Sequence, residues 1–387
     1  MSQNKIKVLH VIKTLSLGGA ETNLYNLVQA TDTDHFEVHV AYSFGGEIES
    51  RFKAGGIKLF KYADGQHKIK SLASVVIILR LAWYILRNNI QIVHTHIFNA
   101  HVWGSLSAKL TGRKIVEHVH DFRYMDAKTF SDRRGMGTQF RFARYFKNLS
   151  DIVIVLTQET RDFIVKNRYH PAHRIKEIKN GIPLNTFGSS RTYDTKSLRK
   201  KFNIPKESFV MLTSARMSAE KNLDIFFQIA PEISKRIPHA LFVISGSGPL
   251  LEESLEQCME MGLEKNLRFS GFYPNVDELL AVSDLFILPS FLELHSISIL
   301  EAMSMKVPVL VSKDVGCHNE FIETWRNGVL LDPHNADEWT EAILRLHNDK
   351  DLRLKIGQNG FETCSDQFNI KKISKKIGDV YAELAHS

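Results

Sequence analysis

The sequence predicts an α/β protein made of two doubly wound domains, each with a parallel sheet between helices. Short apolar segments typical of buried strands alternate with helix-like segments along the chain. The length of 387 residues exceeds what one hydrophobic core usually serves and suits two domains. The alternation is interrupted by a polar, Gly/Ser-bearing stretch at residues 186–200, which predicts the linker between the domains.

The first domain is expected to span residues 1–185. Its first strand runs into the glycine pair Gly18-Gly19 and then a helix, an order typical of anion-binding loops. The apolar segment at residues 71–86 contains Arg80 and is too short to span a membrane, so it predicts a buried crossover helix. The expected strands are residues 5–12, 37–42, 58–61, 90–96, 114–120 and 152–156.

The second domain is expected to span residues 201–367, and residues 368–387 predict a terminal helix that packs back on the first domain. The expected strands of the second domain are residues 209–215, 240–245, 266–270, 285–288, 307–312 and 328–331. Its expected helices are residues 223–235, 250–261, 276–281 and 338–347. Strands followed by helices in this order predict a parallel sheet.

Composition indicates a globular chain, with 43% hydrophobic and 24% charged residues. The three cysteines match no disulfide or metal-ligand spacing, which favours a reducing compartment. The N-terminus enters a strand pattern directly, without the apolar segment of a secretory signal. A cytoplasmic protein is therefore expected.

Charge is divided unevenly between the two halves. Residues 1–190 carry a net +12 and residues 191–387 a net −5. Arg123, Arg133, Arg134, Arg141, Arg144 and Lys147 concentrate much of the positive charge in one stretch. This basic stretch, residues 123–147, predicts binding to an anionic membrane surface, as in a protein peripheral to the inner membrane, or to a phosphorylated partner; the alternative is a solvated surface. Nucleic acid is not expected as a partner, because no nucleic-acid-binding motif is present.

Two carboxylates, Glu293 and Glu301, lie eight residues apart across a strand end, a turn and a helix start. Ser298 and Glu301 match a capping box, which would leave a helix N-terminus facing the loop as an anion site. In open α/β sheets, ligands bind at such loops. The alternative is that Glu301 only caps its helix and that Glu293 is a solvated loop acid.

A series of motifs resembles one enzyme family over essentially the whole chain. They are LGGAETNL near the start, VEHVHD at 116–121, NGIP at 180–183, SARMSAEKN at 214–222, ISGSGP at 244–249, GFYPNVDELLAVSDLFILPS at 271–290 and E-x7-E at 293–301. In this order they resemble the retaining, GT-B-fold glycosyltransferases of family 4. The resemblance implies two Rossmann-like domains facing a central cleft and a sugar transfer from a nucleotide-diphosphate donor.

The resemblance also implies roles for individual residues. Arg216 and Lys221 would hold the diphosphate, where negative charge develops as the glycosidic bond breaks. Glu301 would bind the ribose hydroxyls, Glu293 would face the donor sugar, and His120 would contact that sugar from the other domain. Further donor contacts are expected at Gly18, Gly19, Gly246, Phe272, Tyr273, His295, Ser296 and Ile297.

The expected donor is a UDP-sugar, with GDP-mannose as the other candidate, and the expected acceptor is a glycan or a lipid-linked molecule of bacterial surface polysaccharide or glycolipid synthesis. The resemblance implies no cofactor and no metal, since a helix N-terminus and the Arg216–Lys221 pair hold the diphosphate. Leu294 stands where the family has glycine, so a catalytically silent nucleotide-sugar-binding scaffold is the alternative.

Two other site chemistries are weaker readings of the same residues. His94 and His96 share one strand face, as do His118 and His120, and histidines so placed can bind a metal. No carboxylate or cysteine completes a metal signature there. A dinucleotide-dependent oxidoreductase is disfavoured, because the first glycine loop reads LSLGGAE and not G-x-G-x-x-G.

Overall fold

The computed structural model describes residues 5–16, 18–63, 71–120, 148–187 and 192–386. The chain divides into two compact units. Unit 1 comprises residues 1–181 together with 370–387, and unit 2 comprises residues 182–369. The chain therefore leaves unit 1 once and returns to it for its last helix.

The described strands of unit 1 form a parallel sheet in the order β3-β2-β1-β4-β5-β6-β7. They are β1 (Ile6–Val11), β2 (Phe36–Tyr42), β3 (Lys58–Lys61), β4 (Ile92–His96), β5 (Lys114–Val119), β6 (Ile152–Val155) and β7 (Ile175–Glu177). The helices are α1 (Gly19–Ala30), α2 (Glu49–Ala54), α3 (Ser71–Arg87), α4 (Phe98–Leu110) and α5 (Gln158–Lys166), and α14 (Ile370–Ala385) is the returning helix.

Helices cover both faces of this sheet, which is why its central strands are buried along most of their length. On one face, α14 inserts Ile373, Ile377 and Tyr381 at helical spacing against Val8 of β1 and Ile92 of β4. On the other face, α3 and α4 pack over the same strands. The returning helix is thus an integral part of the unit 1 core.

Unit 2 repeats the architecture, with its described strands in the order β10-β9-β8-β11-β12-β13, all parallel. They are β8 (Phe209–Ser214), β9 (Ala240–Ser245), β10 (Leu267–Gly271), β11 (Leu285–Leu288), β12 (Val309–Ser312) and β13 (Val329–Leu331). The helices are α6 (Thr195–Lys201), α7 (Asp224–Arg236), α8 (Leu251–Glu260), α9 (Val276–Leu280), α10 (Ile297–Ser304), α11 (His318–Phe321), α12 (Ala336–Asn348) and α13 (Lys350–Gln367). Both units have the strand order of a Rossmann fold.

The predicted linker at residues 186–200 is wrong in its position. Along the chain, the boundary between the units lies between Gly181 and Ile182, and the described part of the predicted linker belongs to unit 2. Helix α6 begins inside it because Asp194 caps the backbone N–H groups of Lys196 and Ser197. The polar composition of residues 186–200 predicts a loop, but a short, solvent-facing helix has the same composition, and such a helix forms at Thr195–Lys201.

The predicted strands and helices otherwise lie close to the observed ones. No bounds were predicted for the edge strand β7 or for the helices α2, α4, α5, α11 and α13. Helix α13 is polar over much of its surface and buries small residues such as Gly357 and Gly360, so its apolar stripe is weak in the sequence.

The expectation that the segment at 71–86 is buried holds for only half of its surface. Ile77, Leu81 and Ile85 of α3 are buried in the core of unit 1. Val75, Val76, Leu79, Trp83 and Leu86 are each at least half exposed. Among the described residues, no helix combines the length and apolarity needed to cross a membrane.

Candidate functional site

The switch point of the unit 2 sheet places the predicted donor residues at one edge. From β8 the chain proceeds outward to β9 and β10 and then crosses back to β11, on the other side of β8. Loops that diverge from a switch point leave a crevice at the carboxyl ends of the strands. Arg216 and Lys221 follow β8, Gly246 follows β9, and Glu293 follows β11.

The glycine loop after β9 packs directly on the loop after β8. Gly246 has φ 149°, and a Cβ there would lie 1.9 Å from the carbonyl oxygen of Ala215. A Cβ on Gly248 would lie 2.2 Å from the carbonyl oxygen of Met217. Both glycines are therefore required for close backbone approach. This contact fixes the backbone on either side of Arg216.

Lys221 and Glu293 form an ion pair within the crevice loops. The Lys221 Nζ donates to Glu293 Oε1 at 2.5 Å, and both side chains are largely buried. Ser290 Oγ donates to the same carboxylate oxygen at 3.0 Å. The loops after β8 and β11 are also joined by the Phe291 N–H, which donates to the carbonyl of Glu220 at 2.9 Å. The structure thus brings together a cation and an acid that are 72 residues apart in sequence.

Arg216 differs from Lys221, because its side chain is exposed and makes no hydrogen bond or ion pair with the described residues. It follows β8 by two residues, at the carboxyl edge. An arginine held there by the packed glycine loop presents a planar cation that suits phosphate oxygens.

Glu301 lies in the second turn of α10 and is buried. Burial, reinforced by the negative charge of Asp277, raises the pKa of Glu301 to about 8. The carboxyl group is therefore mainly protonated at neutral pH in the free protein. Among the described residues, no side chain or backbone group forms a hydrogen bond with it. A buried acid without a partner is available to a ligand.

The predicted capping box of Ser298 and Glu301 is wrong. Helix α10 begins at Ile297 with Ser296 as its N-cap, so Glu301 lies too far along the helix to reach back to the cap. The hydroxyls of Ser296 and Ser298 lie 3.0 Å apart and bond each other, and the Ser296 side chain accepts no hydrogen bond from the backbone N–H groups of the helix. The role of Glu301 is thus not that of a helix cap.

His295 and Leu294 occupy different environments at this turn. His295 is buried, with its ring 4.9 Å from that of Phe368 and 5.6 Å from that of Phe321. Leu294 keeps an ordinary φ, and Gly316 approaches its carbonyl oxygen so closely that a Cβ there would lie 2.4 Å away. Gly316 is therefore needed for the packing of its own loop on the Glu293–Leu294 backbone.

The aromatic pair after β10 divides between solvent and the protein surface. Phe272 is 44% exposed. The Tyr273 hydroxyl donates to Glu278 Oε2 at 2.5 Å and accepts from Lys201 Nζ at 2.8 Å. Tyr273 is therefore held in place by charged partners, whereas Phe272 is partly in solvent.

His318, which begins α11 after β12, was not predicted as a site residue. Its Nδ1 donates to the carbonyl of Ser312 at 2.8 Å, and its Nε2 is buried without a hydrogen-bond partner among the described residues. Burial lowers the pKa of His318, with opposing effects of the Glu293 and Lys221 charges. A neutral imidazole acceptor thus lies within electrostatic range of the ion pair. Its place after a strand end was the available sequence signal.

In unit 1, the predicted anion-binding glycine loop already contains a carboxylate. Gly18 is the N-cap of α1, and a Cβ there would lie 2.5 Å from Glu21 Oε2. Thr14 Oγ1 donates to Glu21 Oε1 at 2.7 Å, and burial raises the pKa of this carboxyl. Gly19 has open space around the Cβ position. At Gly18, the space left by the missing side chain is therefore occupied by the Glu21 carboxylate of the same loop and helix, and not by a ligand.

His120 ends a row of five histidines on one face of the unit 1 sheet, which we call the histidine file: His10, His94, His96, His118 and His120. His10 Nδ1 lies 2.9 Å from His96 Nε2, and His96 Nδ1 lies 3.0 Å from His120 Nε2. At the inner end, Tyr381 of α14 bonds His94 Nδ1 at 2.6 Å. Hydrogen bonds therefore connect the core to His120.

Burial keeps the inner histidines neutral. It lowers the pKa of His10 to about 3 and those of His94, His96 and His118 well below their usual value. A neutral imidazole donates through one nitrogen and accepts through the other. The hydrogen bonds from His10 to His96 and from His96 to His120 therefore couple the tautomers of these three rings.

The histidine file also contains the described groups closest to a metal site. His10, His94 and His96, and separately His96, His118 and His120, bring ring nitrogens within 4.8 Å of one another. The rings are stacked, with centroids 4.1 Å apart for His118 and His120. His10, His96 and His120 are joined by hydrogen bonds, whereas His94 Nε2 and both ring nitrogens of His118 are buried without a hydrogen-bond partner among the described residues. The file is therefore a hydrogen-bonded chain of three rings beside two rings with unpaired nitrogens.

Comparison with known families identifies the protein family of this chain. Residues 17–186 match the family model described as Glycosyltransferase Family 4. Residues 194–363 match the model described as Glycosyl transferases group 1. Together the matches take in most of both units. The chain belongs to the group 1 glycosyltransferases.

Similar proteins match most or nearly all of the length of this glycosyltransferase. An Escherichia coli UDP-Gal:α-D-GlcNAc-diphosphoundecaprenol α-1,3-galactosyltransferase is 25% identical, over 99% of this chain and 98% of its own. The α-D-kanosaminyltransferase of Streptomyces kanamyceticus is also 25% identical, over 72% of this chain and 73% of its own. The predictions of a glycosyltransferase family and of an enzyme are confirmed.

Solved structures confirm the fold of this glycosyltransferase. HepE from Anabaena, solved in complex with UDP and glucose, aligns with a TM-score of 0.84, 22% identity and coverage of 98% of this chain and 100% of its own. A glycosyltransferase from Rickettsia africae aligns with a TM-score of 0.81 and 17% identity, over 99% of each chain. The predicted GT-B fold with two Rossmann-like domains is confirmed.

Proposed function

We propose that this glycosyltransferase moves a sugar from a UDP-sugar to a lipid-linked or glycan acceptor in the synthesis of a bacterial surface polysaccharide or glycolipid. The Escherichia coli relative carries a UDP-galactose donor and a diphosphoundecaprenol acceptor in its name. HepE, with the same fold, was solved with UDP-glucose. These relatives favour a UDP-sugar over GDP-mannose.

The observation that carries the proposal is the set of groups at the unit 2 switch point. They are the Arg216 cation, which has no partner among the described residues, the Lys221–Glu293 pair and the buried Glu301, and they lie in or directly after loops at the carboxyl edge of one sheet. Two cations suit a diphosphate, and a carboxylate suits two adjacent ribose hydroxyls. Phe272 offers an exposed ring for stacking on a nucleobase.

Binding of the donor would rearrange the Lys221–Glu293 ion pair. In the free protein, the positive charge of Lys221 is balanced by the carboxylate of Glu293. A diphosphate oxygen would compete for the lysine, and Glu293 would then be available to sugar hydroxyls. Arg216 and Lys221 would stabilise the charge that develops on the leaving diphosphate. This assignment explains why an acid and a cation lie side by side in the donor site.

Retention of configuration, independence of metal and the roles of His120, Gly18 and Gly19 are part of the proposal. They rest on the family resemblance, and a front-face transfer, in which a donor phosphate oxygen accepts the acceptor proton, follows from it. His295, Ser296 and Ile297 are less suited to donor contact through their side chains than expected, because His295 and Ile297 are buried and the Ser296 hydroxyl bonds Ser298. Backbone N–H groups at the start of α10 remain available to the ligand.

A cytoplasmic enzyme at the inner membrane is also proposed, because a lipid-linked acceptor would be reached there. The basic stretch at residues 123–147, on which this prediction depended, lies outside the described residues. Its role in membrane binding stays a prediction.

The test is a donor panel assayed with purified protein. UDP-galactose, UDP-glucose, UDP-N-acetylglucosamine and GDP-mannose are compared by thermal shift and by turnover with a diphosphopolyprenol-linked acceptor. A donor at 100 times its Kd should stabilise the protein by about 2.7 kcal/mol. Arg216→Ala should abolish most of the turnover, whereas Arg236→Ala, on the exposed surface of α7, should retain it.

Two results would contradict parts of the proposal. Stabilisation by a UDP-sugar without turnover on any acceptor favours the catalytically silent scaffold. A shift with GDP-mannose alone overturns the donor assignment. Analysis of the product's anomeric configuration by NMR tests retention, and assays with EDTA test metal independence.

A further inference from the structure

The exposed side of α3 carries an apolar strip that the enzyme reaction does not explain. Val75, Val76, Leu79, Trp83 and Leu86 are 50–56% exposed. At 100° per residue they fall within one arc of about 100° on the helix surface. Together they form what we call the α3 apolar face. Soluble proteins rarely expose so many large apolar side chains side by side.

The opposite side of the same helix is fully used in the core. Ile77, Leu81 and Ile85 are buried against β-strand and α4 residues. Tyr84 stacks on Phe60 of the edge strand β3, with ring centroids 4.2 Å apart. Because α3 is anchored along its inner side, the α3 apolar face is a fixed surface and not a frayed segment.

Charge along this face is of one sign. Helices α3 and α4 contain no aspartate or glutamate. Arg80 and Arg87 border the apolar strip along one edge, and Arg87 lies 5.5 Å from the centre of the Trp83 ring. Arginine beside tryptophan suits an interface with water on one side and hydrocarbon on the other.

We propose that the α3 apolar face docks this glycosyltransferase on an anionic lipid surface. Leu79, Trp83 and Leu86 would enter the boundary between headgroups and acyl chains, while Arg80 and Arg87 would lie among lipid phosphates. A second copy of the chain would meet the same arginines, so like charges would face each other across a symmetric interface. Charge complementarity therefore favours the lipid surface. This docking rests on the proposed location at the inner membrane and assigns it a surface, and it requires no donor or acceptor.

The test measures vesicle binding by the full chain. Flotation with vesicles of phosphatidylglycerol and phosphatidylcholine is compared with flotation on phosphatidylcholine alone. The Leu79→Ser, Trp83→Ser double variant should raise the lipid concentration for half-binding at least about tenfold. Arg87→Gln should weaken binding to the anionic vesicles only. In the wild-type protein, the emission of Trp83 should shift to the blue on binding.

A matched control is provided by unit 2, where Met259 and Leu354 are as exposed as the α3 residues. The Met259→Ser, Leu354→Ser double variant should bind vesicles like the wild type. All variants change exposed side chains, and unchanged melting temperatures would show that they fold.

Two outcomes would overturn the docking proposal. In the first, the α3 double variant binds vesicles as tightly as the wild type. In the second, the wild type binds no vesicle and forms a dimer that the double variant dissociates, which would assign the face to a second copy. Stabilisation by UDP-sugars, measured in parallel, tests the enzyme function separately and does not depend on either outcome.

Discussion

Glu301 shows how burial prepares a residue for a ligand. Its carboxyl has a pKa of about 8 because it is removed from water near Asp277. Ribose hydroxyls donate hydrogen bonds to an ionised carboxylate, and such bonds favour the charged form. Binding of a nucleotide should therefore lower this pKa and release a proton.

We predict that UDP binding releases protons below pH 8 and that the affinity for UDP increases as the pH rises toward 8. Isothermal titration calorimetry in two buffers with different ionisation enthalpies measures the release. Glu301→Gln should weaken UDP binding and remove the proton release. Proton-independent binding by the wild type would refute the assignment.

The same pKa shift affects stability, with a sign that follows from linkage. A carboxyl whose folded pKa lies above its unfolded value binds protons more tightly in the folded state. Its contribution is fully present below about pH 4.5 and is lost as the pH rises through about 8. We predict that Glu301→Gln stabilises the free protein relative to the wild type at pH 9 more than at pH 5. Urea denaturation at the two pH values measures this difference.

Lys221 and Glu293 form a pair that is largely removed from water. Removing one partner leaves the other charge poorly solvated, so Lys221→Ala should lower the free energy of unfolding by about 2 kcal/mol. The Lys221→Ala, Glu293→Gln double variant should recover part of that loss. A double-mutant cycle by urea denaturation gives the coupling energy.

The control for this cycle is the exposed pair of Arg326 and Glu323. Solvent screens surface pairs, so the cycle at this pair should give little or no coupling energy. Equal coupling energies at both pairs would contradict a special role for the buried one.

At the scale of elements, the contact between the β8 and β9 loops decides where the phosphate-binding cations stand. Gly248 is close-packed against the Met217 carbonyl, whereas Gly19 at the start of α1 has open space. Added methyl groups should therefore have opposite effects at the two glycines.

We predict that Gly248→Ala lowers the free energy of unfolding by roughly 2 kcal/mol and weakens UDP binding, because the β8 loop must shift. Gly19→Ala should be neutral or stabilise the protein by about 0.5 kcal/mol, since alanine restricts the unfolded chain more than glycine does. Thermal denaturation and UDP titration compare the two variants. Equal losses in both would mean that loop packing is not the cause.

The elements themselves were predictable where a hydrophobic period was strong. The buried strands β8, β9 and β11 are continuous apolar runs, and their bounds were predicted within about two residues. Of the helices for which no bounds were predicted, α6 and α13 lack a clear periodic signal for opposite reasons. The first is short and solvent-facing, and the second buries glycines and a cysteine where a periodic pattern needs large side chains.

At the scale of the whole molecule, the returning helix α14 couples the end of the chain to the first sheet. Tyr381 packs in the core of unit 1 and bonds His94, 287 residues earlier in the chain. Unit 1 is therefore complete only after unit 2 has been synthesised. A chain that ends at residue 369 should expose the apolar face of β1 and β4 and aggregate on expression.

Acid stability should be governed by the histidine file. A histidine whose folded pKa is lowered contributes stability that is fully present above about pH 6.5 and is lost as the pH falls toward the folded value. For His10, with a folded pKa of about 3, the loss between pH 6.5 and 5 is about 2 kcal/mol. His94, His96 and His118 add to it.

We predict a steep fall in the melting temperature of unit 1 below pH 6.5. Differential scanning calorimetry from pH 7.5 to 5 measures it, and His94→Gln should make the dependence shallower. A melting temperature that stays constant over this range would show that the histidine file is hydrated or charged in the folded protein.

The sequence by itself determined the two Rossmann-like sheets, the order of their elements and the family, because strand and helix periods and motif spacing are local properties of the chain. Tertiary structure alone decided that Glu293 pairs with Lys221, that His318 lies near them, and that Glu301 is buried and not a cap. It also decided which side of α3 faces solvent. A helix that is apolar on all sides carries no periodic signal for its orientation, and contacts between distant loops depend on which strand ends lie side by side in the sheet.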